Sequence, residues 1–304
     1  MGLGVSNPVS VVAPAGDWCG ESPVWHPEER AVYWIDVNRF LIHRCDPARP
    51  SVASSYFEEP VTALALTTRA DTLAVALGGS LILWKPATDE RRGQGFCLRG
   101  WPAVRLNDGR PDARGSLWLG SMRNNVNPDG SPGEAGGADG RLLRVDPDGA
   151  VSEWKHGIGI ANTMAWSPDG KRFYSADTLG NILFTYDYDA GTGAISNERP
   201  FLAGFARGVP DGSAVDREGY VWNCRHGGGC IVCAAPDGAI ERVIDMPVTH
   251  ITSCTFGGAD FCTLYVTTAA LGAPQGERLA GSLFAIRSEV AGLPDHRFRI
   301  GSQL

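Results

Sequence analysis

Residues 112–121 read DARGSLWLGS, and further along residues 216–225 read DREGYVWNCR. In both, an Asp opens a Gly-bearing turn and a short β-branched or aromatic run containing Trp follows, which is the chemistry of a turn feeding a strand. Four other stretches repeat the phrase: HPEERAVYWIDV (26–37), TTRADTLAVAL (67–77), SPDGKRFYSADT (167–178) and GADFCTLYVTT (258–268). A further strand follows each, as in GRLLRVDPDG and GCIVCAAPDG, and several of these end in the Asp-Pro or Asp-Gly pairs that close hairpins. With Trp34, Val75, Trp118, Tyr174, Trp222 and Tyr265 as markers, the intervals are 41, 43, 56, 48 and 43 residues. A period of about 40–50 residues carrying four strands is the mark of propeller blades, and six of them fill the chain. The expected fold is therefore all-β, a six-bladed β-propeller with four-stranded blades in a single domain, 1–304. A β-sandwich has no need of the same aromatic-bearing strand six times over. Two segments compete to close the ring, a strand near Val9 to Ala13 and the stretch from His296 to Ile300.

Composition agrees. Thirty-nine glycines, twenty prolines and 43% hydrophobic residues describe a turn-rich globular chain. A net charge of -7 disfavours nucleic acid, whose phosphates are held by clustered Lys and Arg. No apolar run approaches the roughly 20 residues of a membrane span, and the N-terminus lacks the pattern of a secretory signal, so no membrane partner and a cytoplasmic location are expected. Gly2 and Ser6 match the short myristoylation pattern, a weak signal. The eight cysteines show no disulfide framework. Cys97, Cys254 and Cys262 read as small core residues, and Cys224, Cys230 and Cys233 lack the second half of a zinc site. No obligatory protein partner is evident.

Function is sought where the innermost strands begin. Counting back from each turn aligns GESPVW (20–25), VTALALT (61–67), LNDGRPD (106–112), ANTMAWS (161–167), PDGSAVD (210–216) and ITSCTF (251–256). Glu21, Asn107, Asn162 and Asp211 then stand at one level, with Thr62 and Ser253 in the remaining blades. Equivalent positions of a propeller meet at one end of its central channel. Carboxylates crowded there repel and are costly to desolvate unless a cation or protons compensate, so one divalent metal is expected. The donors are oxygens, which suits Ca, Mg or Mn, with Zn or Fe allowed by geometry. The same mouth should collect Asp36, Asn38, Asp177, Thr178, His226 and the Gly-rich insertion 124–140, which reads as a lid or binding loop.

These motifs resemble the senescence marker protein, gluconolactonase and luciferin-regenerating enzyme family, also called regucalcin-like, over nearly the whole chain. GESPVW, RLNDG, IANTMAWSPDG, VPDGSAVDREGYVW and TSCTFGGADFCTLYVTTA follow the family's order. The resemblance implies Glu21, Asn162 and Asp211 as metal ligands, and Arg105 and Asn107 as substrate contacts. Where some members carry Glu, this chain reads GSMRNN and places Asn125, so their substrate preference does not transfer.

The expected activity is metal-dependent hydrolysis of a sugar lactone, an aldono-1,4- or 1,5-lactone, to the aldonic acid. A metal stabilises the oxyanion and lowers the pKa of bound water. Asp211 is the candidate catalytic base; Arg105, Asn107, Asn125 and His226 are candidate substrate contacts, His226 with a proton-shuttle option. No G-x-S-x-G motif supports a serine nucleophile. The rivals are a metal-dependent phosphoesterase or organophosphate hydrolase on the same scaffold, and a non-enzymatic calcium-binding or interaction propeller.

Overall fold

A computed structural model describes residues 9–301, and the myristoylation pattern lies outside them. The described residues form 24 strands and no helix, arranged as six four-stranded antiparallel sheets. The innermost strands are Gly20–His26, Val61–Leu66, Val104–Pro111, Ala161–Trp166, Val209–Val215 and Ile251–Gly257, in blades 1 to 6. Five sheets are simple meanders. The sixth takes Val9–Ala13 as its outer strand, paired with Leu283–Arg287, so the first of the two closure candidates joins the ends of the chain.

The Asp-to-Trp spacing that marks the repeat has a physical reason. In blade 5 one Asp216 oxygen accepts the backbone N–H groups of Glu218 and Tyr220, both at 3.0 Å, fixing the turn, while the other accepts Trp222 Nε1 at 2.9 Å. Asp112 does the same in blade 3 with Arg114, Ser116 and Trp118. The indole is thereby seated in the blade with its N–H satisfied, and Trp118 and Trp222 are fully buried. Apolar side chains of neighbouring blades interlock around these rings, as Trp222 does with Phe256 at 5.7 Å.

Every inner strand carries the same irregularity. Between Glu21 and Val24, Val61 and Ala63, Leu106 and Gly109, Asn162 and Ala165, Pro210 and Ser213, and Ile251 and Cys254, one extra residue is inserted relative to the partner strand. A bulge interrupts the alternation of faces and re-aims the side chains beside it. Ser22 and Thr163 sit in it with positive φ, 47° and 56°.

The segment His296–Ile300 closes no blade; it belongs to a C-terminal stretch that crosses the channel floor. Leu293 N bonds Val215 O at 3.0 Å, Phe298 N bonds Leu66 O at 2.8 Å and Arg299 N bonds Gly115 O at 2.9 Å. His296 meets Trp166 edge-on, Ser288 N bonds Cys262 O, and Arg297 pairs with Glu28, so all six blades are touched. All eight cysteines are free; Cys254 is core as expected, but Cys97 is exposed at a strand end and Cys262 is half-buried in a turn. Cys97 ends the outer strand of blade 2 and Cys262 lies in the connection between the two innermost strands of blade 6, positions where apolar sequence does not entail burial.

Asp216→Ala leaves a buried indole N–H and two turn amides without an acceptor. It should cost about 2–4 kcal/mol, read as a lower thermal unfolding midpoint, with substrate KM unchanged because the residue lies at the opposite end of the blade from the mouth.

Candidate functional site

The mouth is built by one hydrogen-bonded relay that crosses three blades. Arg105 is buried at 5% exposure, and its Nη2 and Nε both donate to Asn125 Oδ1, at 2.8 and 3.1 Å. Nη1 donates to Leu106 O at 2.9 Å and to Asn107 Oδ1 at 2.7 Å. Guanidinium only donates, so the oxygen of Asn107 must face it. The Asn107 amide nitrogen then donates to Asn162 Oδ1 at 2.7 Å, and Asn162 Nδ2 to Thr178 Oγ1 at 2.9 Å. Thr178 Oγ1 donates in turn to Pro210 O at 2.8 Å, the carbonyl before Asp211. The direction of every amide is thus set by one arginine. Among the described residues Asn162 Oδ1 accepts only this one hydrogen bond, which leaves it a second lone pair.

Glu21 and Asp211 meet beside this relay. Their carboxyls are close enough to act on one another, so with no cation between them their mutual repulsion favours a proton on one of the two. Burial, with the charge of Asp108 next, pushes Glu21 up from 4.5 to about 8. Burial and then the Glu21 charge push Asp211 well above the ordinary carboxylate range. Arg105 is drawn down to about 10 by burial, an effect opposed by Cys19, Glu21 and Asp211. Of its five N–H groups four are used, and the fifth has no acceptor among the described residues.

Sequence reasoning missed Asp108 and Cys19. Alternation along a strand sends Asp108 to the face opposite Asn107, but the bulge turns both inward, and Asp108 becomes a third buried carboxyl facing the pair. Its neighbour in RLNDG was the available signal. Cys19 lies two residues before Glu21, its thiol pushed far up by burial and by the Glu21 and Asp211 charges.

Thr62 and Ser253 do not join the set as donors to the axis. Thr62 bonds Ala76 O and Leu77 O within its own blade. Ser253 is packed against Gly212, where an added Cβ would stand 2.1 Å from its Oγ, so glycine after Asp211 is what lets blades 5 and 6 approach. Thr163 Oγ1 bonds Asp211 O at 2.5 Å and Thr252 Oγ1 bonds Gly20 O at 2.5 Å, stitching blade 4 to 5 and 6 to 1 beneath the mouth.

The insertion folds over the mouth. Its residues between Arg123 and Gly140 contain a short bridge, Val126 with Pro132, and reach to blade 1, where Asn38 Nδ2 bonds Gly130 O at 2.8 Å. Val126 is buried in the core shared by blades 1 and 2. Asn125, at the root of this loop, is thereby fixed against Arg105. Asp36 is a clamp, accepting Trp18 N at 2.8 Å and Cys19 N at 3.2 Å ahead of Glu21. His226 stands at the mouth end of its strand, stacked on His250 at 4.4 Å, and burial together with His250 pushes it down to about 4. It is neutral near pH 7, which disfavours the proton-donor half of a shuttle.

Fold and site together define a six-bladed propeller whose axis carries paired carboxylates under an arginine–amide shelf. Residues 19–270 match the family described as SMP-30/Gluconolactonase/LRE-like region, and the chain belongs to that family. It is 33% identical over 287 residues to pentonolactonase XacC of Haloferax volcanii, covering 91% of this chain and 94% of that one. It is 31% identical to a 6-deoxy-6-sulfogluconolactonase of Pseudomonas putida, covering 92% and 94%. Among solved structures, a regucalcin from Agrobacterium tumefaciens, described as a calcium-binding protein, superposes with TM-score 0.89 at 26% identity, covering 96% of this chain and 98% of that chain. A luciferin-regenerating enzyme gives TM-score 0.88 at 26% identity, covering 96% and 99%.

The raised Glu21 and Asp211 values carry a sign. The folded chain holds a proton that the unfolded chain releases above 4.5, so metal-free protein should lose stability as pH rises from 4.5 to about 8. Glu21→Gln removes this titration, and denaturant melts across that range should show a flatter profile than the parent's.

Proposed function

We propose that this protein is a divalent-metal-dependent lactonase that hydrolyses a sugar lactone, an aldono-1,4- or 1,5-lactone, to the aldonic acid. The observation that carries the reading is the Glu21–Asp211 pair, a half-buried and a buried carboxyl, both raised in proton affinity, beside the amide oxygen of Asn162. That donor set fits a hard cation, which would replace the proton held by the pair and satisfy both charges. Among the described residues no cluster of three or more His, Cys, Asp and Glu side chains could hold a metal, so Asn162 must be counted with Glu21 and Asp211. The lactonase names of the relatives from Haloferax volcanii and Pseudomonas putida, and the calcium-binding description of the Agrobacterium protein, support the same reading.

Once bound, the metal would supply Lewis-acid stabilisation of negative charge on the carbonyl oxygen and a lowered pKa for water. The protein's own groups do the rest. Asp211 is the candidate base, its carboxylate placed to take a proton from the attacking water. The spare N–H of Arg105 donates to the lactone carbonyl or a ring hydroxyl, and the shelf of Asn107 and Asn125 holds that guanidinium in place. Asn125 is neutral, so Arg105 keeps its full charge toward the substrate. His226 lines the blade 5 side as a neutral contact.

A pH-indicator assay over pentono- and hexonolactones tests this, corrected for spontaneous hydrolysis. Activity should vanish on chelation and return with a divalent ion. Asp211→Ala should lower kcat/KM by about a thousandfold, and Asn107→Ala by about tenfold to a hundredfold, mostly in KM. No acceleration over buffer with any metal overturns the lactonase reading and favours a phosphoester substrate, tested with a nitrophenyl phosphodiester, or a non-enzymatic propeller.

A further inference from the structure

The C-terminal segment on the channel floor is wired to the site at the mouth. Arg110 follows Asp108 by two residues on the inner strand of blade 3, and side chains two apart share a face. Its guanidinium is held by Asp295, which the C-terminal segment brings to it, and is also within the field of Asp108, the carboxyl whose charge Glu21 and Asp211 feel. The contact with Asp295 is direct. Arg110 Nη1 bonds Asp295 Oδ1, Arg110 Nη2 bonds Cys254 O at 2.8 Å, and Thr255 Oγ1 orients Asp295 through Oδ2 at 3.0 Å. Both side chains are largely buried, 12% and 15% exposed, so solvent screens them little. Asp108 is thus coupled both to the Glu21–Asp211 pair and to Arg110, and Arg110 is bonded to Asp295.

A guanidinium in a buried channel bonds to the carboxylate it is given. Without Asp295 the nearest remaining anion is Asp108, and Arg110 turned toward it sets a positive charge under the carboxylates that a cation must use. We propose that Asp295 is a positioning residue for the axial site: it holds Arg110 to the floor and so keeps the charge of Asp108, Glu21 and Asp211 available to a divalent cation. The proposal rests on the reading of Glu21 and Asp211 as a cation site. The C-terminal segment then does more than seal the floor, because its seating sets how tightly the mouth binds metal.

The test is calorimetric titration of metal-free, full-length protein with Mn²⁺ and separately with Ca²⁺, for the parent, Asp295→Asn, Arg110→Met and the double variant. Asp295→Asn should weaken binding about tenfold, and the same change made in the Arg110→Met background should have no effect. Thr255→Val, which loosens Asp295 without removing its charge, should shift affinity in the same direction by less, and it decides the matter if Asp295→Asn does not fold. Parent-like affinity in Asp295→Asn overturns the proposal. So does an equal loss with and without Arg110, which would mean that Asp295 acts by charge alone. A parent that binds neither ion overturns the cation site as well, whereas a parent that binds and a variant that matches it overturns only the role of Asp295.

Discussion

Two carboxyl groups, half-buried Glu21 and buried Asp211, are electrostatically coupled to one another, and much of the mouth is arranged around that coupling. They come from blades 1 and 5, far apart in sequence, and nothing in their own strands draws them together. They meet because six hydrophobic blade interfaces and a closed ring hold them there, and because a bulge in each inner strand aims side chains at the axis. Unpaired, such a coupling is unfavourable. The fold tolerates it because the surrounding hydrogen bonds run in one direction, from Arg105 through two amides and a hydroxyl to the carbonyl before Asp211. Strain concentrated at a few residues and held by a rigid scaffold is what a functional site looks like in physical terms.

Much of this was legible in the sequence. The fold was, because an Asp that both fixes a turn and caps an indole leaves a fixed Asp-to-Trp spacing, seen at Asp112 with Trp118 and Asp216 with Trp222. The level of Glu21, Asn107, Asn162 and Asp211 was, because counting back from those turns needs only the regularity of a meander. Asp108 was not. Its inward direction depends on the bulge between Leu106 and Gly109, a register shift set by pairing with the next strand that simple alternation along the strand does not show. The lid was legible only as an insertion. That Val126 would dock into the core of blades 1 and 2, and Asn38 would bind Gly130, are long-range contacts with no local pattern. The floor was left between two choices, since short apolar strands at both ends of the chain could each have completed a blade.

In the proposed reading, substrate choice and cation binding meet at Arg105. Asn107 and Asn125 hold it through neutral oxygens, so its positive charge is directed to whatever enters the mouth, while the nearby carboxylates offset its repulsion of a cation. The insertion loop controls one of those two holds and the inner strand of blade 3 the other. Variation in the loop is thus a route by which related propellers can alter substrate preference without disturbing Glu21, Asn162 and Asp211.

The most direct test of the central claim counts protons. Calorimetric titration of metal-free protein with a divalent ion at pH 7, repeated in buffers of different ionisation enthalpy, reports the protons released per ion bound. The account predicts release of about one proton per ion, the one held by the Glu21–Asp211 pair, and its disappearance in Asp211→Asn. Binding without proton release, or release unchanged in that variant, would mean that the ion sits elsewhere and that the paired carboxyls are not its site.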